Sequence, residues 1–163
     1  MEITIHIHHA CNIDTVAHAL MDPAVSEYRI RHAGLKKYTH HSTDKGLTID
    51  LSIPTSLFPA QALPFLKKTD TQNVRITEKW LKETDTSWNG FTVISSQDLP
   101  FTLEAHQKLT TDLQGTSRAI TATFTVHIPF FGRAIENFLA HSVEEIAHSE
   151  EKLIEEWLSE HNY

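Results

Sequence analysis

The sequence has little of several residue types, and each scarcity excludes a class of protein. A single cysteine, Cys11, excludes an intramolecular disulfide and any cysteine-based zinc site. Only five glycines are present, and none of them forms the glycine-rich loop that cradles the phosphates of a nucleotide. No apolar run approaches the roughly 20 residues of a membrane-spanning helix. The N-terminus also lacks the basic and apolar regions of a signal peptide. We therefore expect a cytoplasmic protein without an integral membrane segment.

Positive charge is scarce as well, with 14 Lys and Arg against 21 Asp and Glu, for a formal net charge of −7. Nucleic acids and anionic membranes favour basic surfaces, so neither is expected as a partner. The negative charge is concentrated near the end of the chain, where residues 133–163 hold eight glutamates against Arg133 and Lys152. We interpret it as the solvated face of one amphipathic helix; the alternative is a surface that docks a partner protein.

Apolar periodicity predicts a single α+β domain over residues 1–163. Two short helices follow the first strand, with Asn12 and Asp22 as their N-caps and Pro23 at the first helical position of the second. A long amphipathic helix follows Gly132. We interpret Asn89-Gly90 as a hairpin turn or a strand irregularity. Alternation of apolar and polar residues predicts the strands, near residues 3–8, 35–43, 47–53, 74–80, 91–94, 101–109 and 120–128.

A proline-punctuated stretch, Pro54 to Leu66, interrupts this pattern. It is too broken for a strand and unusually apolar for a loop. We therefore predict that it packs as a lid or mouth over the interior.

Several short motifs give the sequence a family resemblance. They are Leu63-Pro64-Phe65, Glu78-Lys79-Trp80, Leu99-Pro100-Phe101, the run from Ile128 to Glu136, and Glu156-Trp157-Leu158. With the order of elements, they resemble the START-like (SRPBCC, helix-grip) superfamily and, within it, the bacterial DUF2505 family. The resemblance implies a curved antiparallel sheet of about seven strands wrapped around the long C-terminal helix. It also implies a cavity between sheet and helix that holds an apolar small molecule or lipid.

Two polar residues share a strand face with apolar neighbours and are candidates for chemistry in such a cavity. Glu78 lies between Ile76 and Trp80, and Gln107 lies between Ala105 and Leu109. A buried carboxylate has a raised pKa and can orient a ligand or act as a general acid or base. The structural alternative is that Glu78 lies where its strand leaves the core, or pairs with Arg118 or Lys82.

Aromatic residues complete the candidate site, with core packing as their alternative role. Those on the proline-rich stretch and at the turn into the long helix, including Phe131, border the cavity mouth in the START-like arrangement. The full set of candidate ligand-binding residues is Tyr38, Phe58, Phe65, Glu78, Trp80, Gln107, Phe130 and Phe138.

The twelve histidines raise the question of a metal site. His6 and His8 point away from the core face of the first strand. Pairing of the first and last strands, which the resemblance implies, could bring either of them near His127 as a weak three-imidazole site. No acidic residue in these strands is placed to orient the imidazoles. We therefore favour solvated histidines and expect neither a metal nor another cofactor.

Three functions remain open at this point. The first is a carrier of an apolar ligand. The second is a cyclase- or aromatase-type enzyme that uses Glu78 as acid or base, helped by Tyr38 or Gln107. The third is an interaction module that docks through the acidic helix. No nucleophile motif or paired carboxylate motif supports catalysis. A cavity containing Glu78 would favour the enzyme, a purely apolar cavity the carrier, and no cavity the interaction module.

Overall fold

The structure, a computed structural model, describes residues 1–44, 46–130 and 132–161. Seven strands and three α-helices occur in it, and two single 3-10 turns, Thr55–Leu57 and Leu63–Phe65, lie in the proline-rich stretch. The α-helices and strands are β1 Glu2–His9, α1 Ile13–Met21, α2 Pro23–His32, β2 Tyr38–Thr43, β3 Gly46–Pro54, β4 Thr71–Thr84, β5 Ser87–Ser95, β6 Phe101–Asp112, β7 Gly115–Val126 and α3 Gly132–Glu160.

The strands form one antiparallel sheet in the order β1-β7-β6-β5-β4-β3-β2. Consecutive strands from β2 to β7 are neighbours, and β1 joins the far edge beside β7. The helix α3 packs against β1 and β7 on one side and against α2 on the other. The predicted helix-grip fold is thereby confirmed.

Local signals placed both short helices correctly. The amide of Thr15 donates to Oδ1 of Asn12 at 3.0 Å, and the amide of Ala24 donates to Oδ1 of Asp22 at 2.8 Å. Each side chain therefore satisfies a backbone donor that the first turn of its helix leaves free.

The turn interpretation of Asn89-Gly90 is wrong, because both residues lie within β5 and the β4–β5 turn is at residues 85–86. Gly90 is the register partner of Trp80. A Cβ at residue 90 would come within 2.7 Å of the Trp80 ring. This glycine therefore serves the close approach of an indole to the strand.

The helix α3 is anchored by its C-terminal half. Ala147, Ile154, Trp157 and Leu158 are buried, whereas none of the described residues from 132 to 146 is buried. Ile146, which the helical spacing assigns to the apolar stripe, is 62% exposed. The first half of the helix is therefore less deeply buried than the second, although Leu139, Ala140 and Val143 pack against the core of the sheet. Within the described ranges, no helix is both long and apolar enough to span a membrane.

Candidate functional site

A cavity of about 240 Å³ lies beneath the first half of α3. It is bounded by the proline-rich stretch, by the start of β6 and by the segment that follows β7. Gln61 is the one polar residue among the described residues that line it. The remaining lining is aliphatic, aromatic or proline, and includes Phe58, Phe65, Ile128, Ile135, Phe138 and Leu139. The cavity therefore suits an apolar group.

Large apolar side chains are exposed around this cavity. Phe65 and Phe138 line it and are 37% and 42% exposed. Leu57 and Leu63, on the same proline-rich stretch as Phe65, are exposed as well. Phe130 is fully exposed and has a φ of 68°. This left-handed conformation is unfavourable for an aromatic residue. Phe131 lies outside the described residues.

Gln72, at the start of β4, fixes the base of the proline-rich stretch. Its Nε2 donates to Oγ1 of Thr55 at 3.0 Å and to the carbonyl oxygen of Lys67 at 2.8 Å. The hydroxyl of Thr55 in turn donates to the carbonyl oxygen of Thr69 at 2.6 Å. Gln72 itself is fully buried in the sheet. Its hydrogen bonds therefore connect both ends of the proline-rich stretch to β4.

A cluster of polar residues occupies the interior elsewhere, beneath the second half of α3. Glu78 is buried on the inner face of β4, and its Oε1 accepts a hydrogen bond of 2.6 Å from Nε1 of Trp80. Burial raises the pKa of Glu78, and the positive charges of Arg29 and Arg118 only partly offset this effect. Its carboxyl group is thus suited to hold a proton at a higher pH than an exposed glutamate.

Arg118 connects the sheet to α3 in this cluster. Its Nε and Nη2 donate to Oε1 of Gln107 at 2.8 and 2.6 Å, and Nη2 lies 3.6 Å from Oε1 of Glu150. Gln107 then donates to the hydroxyl of Thr92 at 2.7 Å. Glu150 is also paired with Arg29 of α2. Burial opposes its ionisation, but the charges of Arg118 and Arg29 prevail and hold the pKa of Glu150 below its usual value.

His9, at the end of β1, is a further buried titratable residue of the cluster. Its Nδ1 lies 3.0 Å from Oε1 of Glu155 on α3. Burial lowers the pKa of His9, and the positive charge of Arg118 lowers it further, against the opposing effect of Glu155. The imidazole is therefore favoured in its neutral form.

The eight predicted ligand-binding residues fall into separate regions. Phe58, Phe65 and Phe138 line the apolar cavity, and Phe130 is exposed near it in sequence. Tyr38 does not line the cavity. It lies at the start of the edge strand β2, where its hydroxyl donates to Oε1 of Glu27 at 2.8 Å. The remaining three, Glu78, Trp80 and Gln107, belong to the interior cluster or pack beside it.

Neither of the pairings considered for Glu78 forms. Lys82 lies 3.1 Å from Oδ2 of Asp14, and Arg118 bonds Gln107 instead. Glu78 also does not lie where β4 leaves the core, because it is only 7% exposed. Both predictions overlooked the hydrogen bond that Trp80, two residues further along the strand, provides.

Four residues of the cluster were not among the predicted ligand-binding residues, although the pattern contained a signal for three of them. His9 has the same parity as Ile5 and Ile7 on β1, and Arg118 has the same parity as Ile120 on β7. Extending each alternation by one step places both on the inner face. Glu150 follows Ala147 by three residues on α3, and so lies on the buried stripe. For Arg29 we find no comparable signal.

The acidic helix is not a uniformly solvated face. Glu150 and Glu155 turn toward the interior cluster, and Glu136 lies 3.8 Å from the N-terminal amine. Part of the negative charge is therefore used to attach α3 to the rest of the molecule.

The possible three-imidazole site does not form. The strands β1 and β7 do pair, but their register places His6 opposite Ala119 and His8 opposite Ser117. His127 lies eight residues beyond Ala119, or about 25 Å along an extended chain. In the part of the chain that the structure describes, no three His, Cys, Asp or Glu side chains are grouped to hold a metal ion.

Known structures share this architecture. The di-domain ARO/CYC StfQ from the steffimycin biosynthetic pathway has a TM-score of 0.66 and 12% identity, over 99% of this chain and 52% of that protein. Ara h 8.0201 has a TM-score of 0.61 and 10% identity, over 98% of each chain. TTHA0849 from Thermus thermophilus has a TM-score of 0.58 and 13% identity, over 94% of this chain and 95% of the other. The fold is that of the SRPBCC or Bet v1-like helix-grip superfamily.

A family model gives the narrower assignment. The DUF2505 model, described as a protein of unknown function, matches residues 4–158. The chain belongs to the DUF2505 family. No curated protein sequence is detectably similar to it.

Proposed function

We propose that this protein binds an apolar small molecule or lipid in the cavity beneath the first half of α3. The observation that carries the proposal is the coincidence of an almost wholly apolar cavity with a half-helix that has no buried residue among those described. Ile135, Phe138 and Leu139 present apolar surface there, and the protein fully buries none of the three. A ligand would remove that surface from water.

The expected driving force is apolar burial, at roughly 25 cal/mol for each Å² removed from water. Pockets for drug-sized ligands have volumes of roughly 300–1,000 Å³. A cavity of about 240 Å³ therefore takes a short chain or a small ring system as it stands. A larger ligand would extend past Phe65 and Phe138, whose exposed rings continue the apolar surface outward.

The fold supports the same proposal, since helix-grip proteins typically bind hydrophobic ligands. We extend it to the chain as a whole: residues 1–163 act as one START-like domain, in the cytoplasm, where the thiol of Cys11 stays reduced.

The two alternatives have less support. For an enzyme of the kind that the name of StfQ indicates, the cavity would have to contain Glu78, which is not among its lining residues. For docking through an acidic helix, the glutamates would have to face solvent together, whereas Glu150 and Glu155 point inward.

A dye-binding experiment tests the proposal. Nile red, a neutral apolar dye, should bind the wild-type protein with a rise in fluorescence. The substitution Phe138→Asp should weaken this binding about tenfold, because it places a carboxylate against an apolar ligand. Phe138 is 42% exposed, so its replacement leaves no buried void.

Leu113→Asp is the matched control. Leu113 is fully exposed in the β6–β7 turn, and its replacement makes the same change in charge and polarity away from the cavity. Equal binding by wild type and control, with weaker binding by Phe138→Asp, supports the proposal. Absence of dye binding by the wild type, or equal losses in both variants, overturns it.

A further inference from the structure

Two buried polar atoms in the interior cluster have no hydrogen-bond partner among the described residues. They are Nη1 of Arg118 and Nε2 of His9. Arg118 is 2% exposed and His9 is fully buried, so solvent reaches neither side chain freely. A buried polar atom without a partner is costly, and a native structure that keeps one usually has a use for it.

The two residues are diagonal neighbours on the inner face of the sheet. His9 is opposite Thr116, and Arg118 follows two residues later on β7, opposite Ile7. Diagonal neighbours in antiparallel strands have Cα atoms about 7–8 Å apart, within reach of long side chains. Both contact the same stretch of α3: Nη2 of Arg118 lies 3.6 Å from Oε1 of Glu150, and Nδ1 of His9 lies 3.0 Å from Oε1 of Glu155.

The free atoms have opposite hydrogen-bonding character. Nη1 of Arg118 can only donate. His9 uses Nδ1 toward the carboxylate of Glu155, which accepts, so the proton lies on Nδ1. In the neutral imidazole, Nε2 then carries a lone pair and accepts. A donor and an acceptor on diagonal neighbours match a hydroxyl group, whose oxygen accepts and whose proton is donated.

The charges of the cluster favour a neutral group over an acid. Two arginines, Arg29 and Arg118, are paired with the carboxylate of Glu150, and the carboxylate of Glu155 lies 3.0 Å from Nδ1 of His9. A carboxylate brought by a ligand would add another negative charge and would face the lone pair of His9. A hydroxyl would meet neither penalty.

Apolar side chains separate the polar cluster from the apolar cavity. Ala105 and Ala122, register partners on β6 and β7, and Ala147 of α3 are the small members of this buried set. Its larger members are Ile5, Ile7, Leu103, Ile120 and Phe124. Leu139 at the cavity and Glu150 at the cluster are eleven residues apart on α3, about 16 Å along its axis. An apolar skeleton of that length would have to pass among these side chains, which requires the first half of α3 to move outward.

We propose that Arg118 and His9 form a subsite for a neutral hydroxyl group, so that the ligand is an apolar molecule ending in an alcohol. This inference rests on the proposed function, because it assigns the polar end of the molecule whose apolar part occupies the cavity. The hydroxyl would accept from Nη1 of Arg118 and donate to Nε2 of His9.

Displacement of Nile red by three molecules of equal chain length tests the subsite. We expect 1-dodecanol to displace the dye about tenfold more effectively than dodecane or dodecanoate. His9→Phe, which keeps a buried aromatic ring but removes the acceptor, should abolish the advantage of the alcohol and leave displacement by dodecane unchanged. His6→Phe, on the exposed face of the same strand, is the matched control and should keep the advantage. The pair 2-naphthol and naphthalene extends the comparison from a chain to a ring system.

The outcomes separate this inference from the proposed function. If dodecane and the alcohol displace the dye equally, and 2-naphthol has no advantage over naphthalene, the apolar cavity stands and the subsite is overturned. If dodecanoate displaces best, the hydroxyl assignment is likewise overturned. If Nile red does not bind at all, both fail.

A nitrogen-15 spectrum of the histidines gives an independent readout. The Nε2 signal of His9 should shift on addition of 1-dodecanol, and an unmoved signal contradicts the subsite.

Discussion

Nε1 of Trp80 donates a hydrogen bond of 2.6 Å to Oε1 of Glu78, two residues earlier on the inner face of β4. The bond joins a core indole to a carboxyl group that is 7% exposed. Neither basic residue nearby, Arg29 or Arg118, comes within ion-pair distance of Glu78 in the described structure, so the indole is its closest polar support. The acid is therefore buried with one direct partner and two more distant cations.

Replacing Glu78 with glutamine should stabilise the protein at alkaline pH. The folded-state pKa of Glu78 is raised by burial above its ordinary value of 4.5. The stability that its protonated form contributes is fully present below that value and is lost as pH rises through the folded pKa. Glutamine resembles the protonated form and still accepts from Trp80. The free energy of unfolding in urea should be higher for Glu78→Gln than for the wild type at about pH 8, and this difference should be smaller at about pH 5. Glu104→Gln, on the exposed face of β6, controls for the loss of a carboxylate; a gain independent of pH would contradict the prediction.

Replacing His9 with phenylalanine should reduce the sensitivity of the protein to mild acid. The folded-state pKa of His9 is lowered from its ordinary value of 6.5 by burial and by Arg118, with Glu155 and Glu151 opposing. Its contribution to stability is present above 6.5 and is lost as pH falls through the lowered folded pKa.

Thermal unfolding of the His9→Phe variant at about pH 7.5 and about pH 5.5 checks this. The wild type and the surface variant His6→Phe should lose more stability over that interval than His9→Phe. Equal losses in all three proteins would show that His9 does not titrate within the interior.

Replacing Gln72 with leucine should loosen the proline-rich stretch over the cavity. The change removes the hydrogen bonds to Thr55 and Lys67, which we expect to cost about 1–3 kcal/mol of stability. Hydrogen–deuterium exchange of residues 55–69 should accelerate. Gln97→Leu, at an exposed residue, makes the same substitution as a control. Equally slow exchange in the two variants would show that Gln72 does not hold the proline-rich stretch in place.

Replacing Gly90 with alanine should destabilise the sheet by about 1–3 kcal/mol, because the new methyl group would overlap the buried ring of Trp80. Gly132→Ala adds a methyl group that meets only ordinary contacts, 3.7 Å from the carbonyl oxygen of Val126, and serves as control. Chemical denaturation measures both. If the Gly90→Ala protein is as stable as the control, the ring of Trp80 moves aside without loss of stability, and the prediction is wrong.

The sequence was informative wherever a local rule decides the structure. The caps at Asn12 and Asp22 depend on side-chain chemistry at one residue, and the alternation through Ile120, Ala122 and Phe124 depends on burial of one face. Periodicity also gave the order of the elements, and the family resemblance then supplied the prediction that the sheet wraps around α3.

Features that depend on two distant residues were not predictable in this way. Gly90 has the signature of a turn, but the ring of Trp80 across the strand pair gives it a different role. The register of β1 against β7 separates His6 from His127, and no feature of either strand alone specifies that register. The interior cluster also combines residues from the two helices and the sheet, so no one segment shows that its charges would meet.

Methyl NMR of isoleucine-labelled protein tests the central claim, binding in the apolar cavity, most directly. Ile128 and Ile135 line the cavity, whereas Ile13 is buried in a core cluster that shares no residue with the cavity lining. On titration with 1-dodecanol, we predict shifts and intermolecular contacts at the methyl groups of Ile128 and Ile135, with Ile13 unchanged. Unchanged signals at Ile128 and Ile135 at saturating ligand would contradict the account.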